Sequence, residues 1–330
     1  MLKSRLYKLS SVLVSVLFVY LAVRRVDLSE SLRILGSLDL WWALAGTLVY
    51  LFLAFPTRAM RWRRILWNQK TLPFGDTLVS LLVGQMANNV LPARTGELYR
   101  AHFLGRRAKM SRSGVAGSIV VERTLDGLML VAMILLVFFL FPQNEFLSGA
   151  ALATGLVFLV LAIGISLYSL ATERVGRLVD HGLLLLPQML RERSGDRLEF
   201  FLRGIRGIST TKGLLRGGFY TVCAWSLEAC AIALVLGAFQ ISLTLSGFVL
   251  VYALSALSTT IPAGPGYVGP YQYAFVLSLG ASGVSQETAL AASLAVQIAL
   301  FGPVTVIGLV LLWREQLRSR AGSYSGRHSS

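Results

Sequence analysis

Apolar residues run in long blocks along this chain, and the polar residues between them gather into short basic segments. Six blocks, Leu6–Val23, Leu40–Phe55, Gly114–Phe141, Gly149–Leu170, Gly218–Phe239 and Thr288–Trp313, approach or exceed the roughly 17–25 residues a helix needs to cross a bilayer. Two further stretches, Thr77–Pro92 and Gly247–Ile261, each run into a Pro/Gly-rich tip, NNVLPARTGE in the first and TTIPAGPGYVG in the second. Broken backbone at membrane depth is tolerated only where protein or a water-filled cavity covers its polar groups, and transporters build substrate sites from such segments.

Lys and Arg fix the expected topology. With the N-terminus inside, segments 1–8, 57–76, 93–113, 171–217 and 314–330 carry 27 of the 31 basic residues. Short basic loops stay cytoplasmic, so both termini are expected there. Because 57–76 and 93–113 are both basic, Thr77–Pro92 should enter and return. The expected fold is therefore all-α and integral to the membrane, with about six full spans. Two opposed re-entrant hairpins, about 77–112 and 247–281, complete it. One hairpin from each face would suit an inverted repeat, although the halves share no convincing identity. The same pattern also admits two ordinary span pairs and up to about ten crossings.

Composition agrees with a membrane protein: 55% of residues are hydrophobic and 14% charged, against about 25% charged in soluble domains. The first block follows Lys3, Arg5 and Lys8 and leads into Val23-Arg24-Arg25 without a small-residue cleavage site, so it reads as an uncleaved span. The net charge of +15 reflects topology and attraction to anionic headgroups, not nucleic-acid binding. Segment 171–217 alternates charged and apolar residues and is expected to lie as amphipathic helix on the inner surface. Residues 314–330, ending AGSYSGRHSS, are expected to be an unordered cytoplasmic tail. Cys223 and Cys230 are seven residues apart on one span, too far for a disulfide, and read as core packing residues. His102, His181 and His328 show no clustered ligand spacing, so neither metal nor cofactor is expected.

Candidate chemistry concentrates in four places. Arg58 and Arg61, i and i+3 after the second span, read either as a stop signal contacting headgroups or as ligands for a lipid phosphate. In the first tip, Asn88 and Asn89 precede the break at Pro92, where their amides can satisfy freed backbone groups. Arg94, Glu97 and Arg100 share a helical face. Two arginine forks suited to phosphate would flank a neutralising acid there, or the three would form an internal ion-pair network. Glu122 and Asp126, i and i+4, repel on one face and require a cation between them: Arg94, Arg100 or a substrate amine. Arg123 is expected to point away from that face. Glu228, alone among apolar residues near mid-span, should be protonated or paired with an arginine of the first hairpin; it could couple protons or hold an amine. In the second tip, Ser258, Thr259 and Thr260 offer hydroxyls, and Pro262, Gly264, Pro265 and Gly266 break the helix before Tyr267. Free amides near Val268–Tyr271 could then meet an anion. Gly264, Gly266 and Gly269 match GxGxxG, but no βαβ pattern surrounds them, so a dinucleotide fold is rejected.

The segments NNVLPARTGELYR, ERTLD and IPAGPGYVGPYQ, in this order, resemble the lysylphosphatidylglycerol-synthase transmembrane (flippase-like) family of bacteria and archaea. The resemblance runs from about Arg58 to Trp313. It implies Asn88, Arg94, Glu97, Arg100, Glu122, Arg123, Asp126 and the Pro262–Gly266 tip as motif positions, with Glu228 matching a recurring buried acid. It assigns none of them a role. Some relatives carry a cytoplasmic aminoacyl-transferase domain; here about 17 residues follow the last span, so lipid synthesis is not expected. The expected function is translocation of an anionic or aminoacylated (glyco)phospholipid or a polyprenyl-phosphate lipid across the cytoplasmic membrane. The alternative is an accessory protein that binds a lipid or a separate lipid-modifying enzyme. No nucleophile–base pair is visible, so an enzyme ranks last.

Overall fold

The computed structural model describes residues 2–66, 69–91, 95–140, 211–261 and 263–325. Arg94, Pro92, Pro262, the expected span 149–170, most of the expected amphipathic segment 171–217 and the end of the tail lie outside the described residues. Those described are helices joined by turns, with no strand among them.

The first helix, α1 (Leu2–Val23), leads to a short amphipathic α2 (Leu28–Gly36). Asp27 caps α2 by accepting the amides of Ser29 at 2.9 Å and Glu30 at 3.2 Å, satisfying donors that the helix start leaves free. The Ser29 hydroxyl, then these two amides, hold the Asp27 carboxyl below the ordinary carboxylate range. Asp39 caps α3 (Leu40–Val49) in the same way. From α3 the chain continues through a π-helical segment, Tyr50–Ala54, into α4 (Phe55–Leu66). Proline is the physical reason for the wider turn: Pro56 has no N–H for the Phe52 carbonyl and its ring would clash there. Phe55 N–H instead reaches back five residues to Tyr50 O.

A helical hairpin follows, α5 (Phe74–Val90) and α6 (Gly96–Arg107). The two legs touch at Gly96, where a Cβ would sit 2.3 Å from Gly84 O and 2.5 Å from Asn88 Oδ1. Next comes α7 (Arg112–Leu140), then α8 (Thr211–Gly237). The second hairpin is α9 (Leu245–Ser258), a 3-10 turn at Pro265–Tyr267 and α10 (Pro270–Ala281), and α11 (Gln286–Ser325) closes the chain. Residues 314–325, expected to be unordered, are helical: the run of Arg, Glu, Gln and Leu after Trp313 favours helix.

Helix α5 packs between α6 and α11, α8 lies on α3 and α4, and α9 contacts α7 and α10. One apolar core joins Tyr50, Phe55, Trp225, Tyr252, Phe275 and Leu300; a second, around Trp62, Leu104 and Ile119, locks α4 to α6 and α7. Among the described residues, three helices are long and apolar enough to cross a membrane, Leu40–Leu66, Lys212–Gly237 and Gln286–Leu317. The outward faces are apolar too: Tyr20, Trp41, Phe52, Phe219, Ile298 and Val306 are exposed, as a lipid-facing surface requires. Cys230 belongs to that face, contrary to the packing role expected for it, and Cys223 is half-buried.

Pro303, inside α11, is also accommodated. Its missing N–H orphans Ala299 O, and the Thr47 hydroxyl, shared with Ala43 O at 3.0 Å, reaches that carbonyl at 3.1 Å. The two hairpin tips meet close by, with a Cβ at Gly266 falling 3.6 Å from Asn89 O.

Candidate functional site

Between the hairpins, α4, α7 and α8, a cavity of about 340 Å³ is lined by aromatic, polar and charged side chains. Beside it lies a cluster in which arginines of three helices meet acids of three. Arg61 (α4) occupies the centre. It sends Nη1–H to Asp126 Oδ1 at 2.5 Å and to Thr221 Oγ1 at 3.1 Å, and Nη2–H to Glu122 Oε1 and Asp126 Oδ2, both at 3.1 Å. It is therefore the cation between Glu122 and Asp126, a place expected for Arg94, Arg100 or a substrate. The periodicity of α7 revealed the need for a cation but could not name a donor more than sixty residues away.

Arg100 (α6) donates to Glu122 Oε2 and lies 3.5 Å above the Trp62 ring. The Trp62 indole in turn donates to Ser118 Oγ at 3.1 Å. With 3% of its side chain exposed against 1% for Arg61, Arg100 is a buried strut. Arg123 (α7) turns back, contrary to the expectation that it points away: it lies 3.1 Å from Glu97, 3.4 Å from Asp126 and 3.7 Å from Glu122. A long side chain can reach around one helical turn, which helical-wheel reasoning at Cβ does not capture.

Arg58 pairs with Glu228 across α4 and α8. Glu228 thus has an arginine partner, though from α4 rather than from the hairpin, because the π-helical turn and Pro56 set the register of α4. The Tyr252 hydroxyl lies 3.5 Å from Glu228 and donates to Trp225 O at 3.0 Å, while the Trp225 indole donates to Asp126 Oδ1 at 3.1 Å. Thr221 and Trp225 precede Glu228 at i−7 and i−3 on one face of α8, a polar stripe readable in the sequence but not singled out there. Tyr267 of the second tip, expected there from the sequence, lines the wall together with Tyr50, Tyr271 and Gln85; nothing local in the sequence marked these last three.

Within the first tip, Asn88 Oδ1 accepts the Gly96 amide at 2.8 Å, bridging the break, while Asn89 turns to α11 and donates to Thr305 Oγ1 at 2.8 Å. In the second, Ser258, Thr259 and Thr260 donate their hydroxyls to the carbonyls three residues back, closing the end of α9. The Gly269 amide, expected to be free for an anion, donates to Gln272 Oε1 at 2.8 Å. Ser15 on α1 accepts from Gly264 N and donates to Val268 O, both at 2.7 Å, and Gln297 on α11 donates to Gly266 O at 2.6 Å. The tip is held by neighbours on both sides. Gly264, Pro265 and Gly266 shape it, and Tyr267, in the left-handed region at φ 62°, turns its ring edge-on to Phe301, beside the cavity.

In this cluster, four guanidinium groups (Arg58, Arg61, Arg100, Arg123) face four carboxylates (Glu97, Glu122, Asp126, Glu228), so the charges described cancel. Arg61 and Arg100 are enclosed, whereas Arg58 and Arg123 face the cavity with 22% and 38% of their side chains exposed. Among the described residues no group of three metal-ligating side chains occurs.

Residues 9–308 match the family model of the lysylphosphatidylglycerol synthase TM region, and the chain belongs to that family. It is similar to a UPF0104 membrane protein of Methanothermobacter thermautotrophicus, with 24% identity over 247 residues, 70% of this chain and 73% of that protein. It is also similar to the glycosyltransferase AglD of Haloferax volcanii, with 24% identity over 342 aligned positions. That match takes in 91% of this chain but only 53% of AglD, so the chain spans about half of that relative.

Proposed function

We propose that this membrane protein moves a lipid with a phosphate-bearing headgroup between the leaflets of the cytoplasmic membrane. The headgroup would lie in the cavity while its chains stay in the bilayer. The observation that carries this reading is the pair of cavity-facing arginines, Arg58 and Arg123, inside a helical bundle whose outer surface is apolar. Guanidinium forks match phosphate oxygens in geometry and charge. Membership of the lysylphosphatidylglycerol synthase TM region family supports a lipid ligand. Candidates are anionic or aminoacylated phospholipids, glycolipids and polyprenyl phosphates. Arg94 would serve as a further phosphate ligand.

In this reading the chain has about six spans, cytoplasmic termini and two re-entrant hairpins. Helices of 17, 12, 14 and 12 residues form the hairpin legs, about 18–26 Å long and shorter than the hydrocarbon core of about 30 Å. Their length supports entry and return. An accessory role is the second reading, favoured by the match to half of a longer glycosyltransferase: the membrane unit would present a lipid to a separate enzyme.

Reconstitution separates the two. Proteoliposomes carrying fluorescent phospholipids in both leaflets are treated with an impermeant quencher. Translocation predicts loss of the protected inner-leaflet signal, and loss of that effect in Arg58→Ala/Arg123→Ala. Lipid retained through purification but never exchanged between leaflets would favour the accessory role.

A further inference from the structure

Every carboxylate of the cluster already holds an arginine, so an entering phosphate competes with a carboxylate for its guanidinium. The four acids are not equal in this respect. Glu122 is held by Arg61 and Arg100, and Asp126 by Arg61, Arg123 and the Trp225 indole. Glu97 and Glu228 each have one cation among the described residues, Arg123 and Arg58. Glu97 lies in the first turn of α6, where the helix dipole favours a negative charge. Glu228 has no such support, because it sits in the interior of α8.

Resting on the phosphate-site reading, we infer that headgroup binding is coupled to proton uptake at Glu228. The phosphate takes Arg58; the carboxylate left behind acquires a proton from cavity water and becomes a neutral acid. One negative charge enters with the ligand and one positive charge with the proton, so the cluster stays electrically balanced, as a site inside a membrane favours. The titratable and charged groups that line the cavity with Glu228 are Arg58 from α4, Tyr50 from the π-helical segment, Glu97 from α6, Arg123 and Asp126 from α7, Tyr252 from α9, Tyr267 from the 3-10 turn and Tyr271 from α10. Arg58 provides the direct cationic contact in that set. The Tyr252 hydroxyl, 3.5 Å from Glu228 Oε2, remains as a polar neighbour for the protonated acid.

The test is calorimetric titration of the full chain in detergent with dihexanoyl phosphatidylglycerol, a phosphodiester that keeps one charge between pH 5.5 and about 8.5. Measurements in buffers of different ionisation enthalpy count the protons exchanged. Uptake approaching one proton per ligand is expected, with affinity falling up to about tenfold per pH unit as pH rises. Glu228→Gln should bind without uptake and without that slope. Difference infrared spectra of the wild-type protein give a second readout, a carboxylic-acid C=O band that appears with ligand. Binding with no proton exchange, or uptake that persists in Glu228→Gln, would overturn the coupling and leave the phosphate site standing. Absence of binding at every pH would overturn both.

Discussion

Arg61 on α4 and Asp126 on α7, 65 residues apart in the chain, meet fork to fork through bonds of 2.5 and 3.1 Å. The same guanidinium also reaches Glu122 and Thr221, so one side chain ties α4, α7 and α8 together. With 1% of it exposed, this arginine belongs to the framework of the site, and the ligand-facing roles fall to Arg58 and Arg123.

Arg61→Ala leaves buried Glu122 and half-buried Asp126 each short of a cation, a change that costs roughly 3 kcal/mol or more. Thermal unfolding in detergent should show a large drop. Arg61→Lys should recover little of it, since a single ammonium cannot serve Asp126, Glu122 and Thr221 at once. Wild-type melting in both variants would contradict this assignment.

Arg58→Ala/Arg123→Ala should remain folded and lose bound lipid. Mass spectrometry of lipids retained through purification is expected to find one phosphate-bearing class enriched in the wild type and absent from the variant. The same enrichment in both would remove these arginines from headgroup binding.

Gly96→Ala should prevent α5 and α6 from closing, because the new methyl group would overlap Gly84 O and Asn88. Overpacking of this kind typically costs about 1–3 kcal/mol. Gly269→Ala meets two obstacles: φ is 101° and its Cβ would fall 2.5 Å from Ser15 O. Gly266→Ala, with φ 67° and no contact under 3.6 Å, should be milder. Equal melting temperatures for the two tip variants would contradict that order.

Thr47→Val removes the donor that covers Ala299 O opposite Pro303. Leaving this part-buried carbonyl without a donor costs up to about 1 kcal/mol. In a Pro303→Ala background the residue-303 amide can serve Ala299 instead, so the same substitution should cost less. A double-mutant cycle on unfolding measures the difference, and strict additivity would refute the pairing.

That this is a helical membrane protein was legible in the chain, because apolar block length is a local quantity that the bilayer reads directly. The sequence also located the polar side chains that matter: Glu122, Asp126 and Glu228 stand out against apolar neighbours, and the breaks at Asn88–Pro92 and near Gly264–Gly269 announce themselves. The pairing of those charges was decided by the tertiary structure alone. Helical periodicity shows which residues share a face, but not which helix lies opposite. A guanidinium reaches several ångströms from its own backbone, so Arg61 takes the place considered for Arg100, and Arg123 turns back to Glu97. The aromatic wall of Tyr50, Tyr252 and Tyr271 was equally hidden, since an aromatic residue in an apolar helix looks the same whether it faces lipid or cavity. Only packing of α4, α7, α8 and the two hairpins around a common space distinguishes the two.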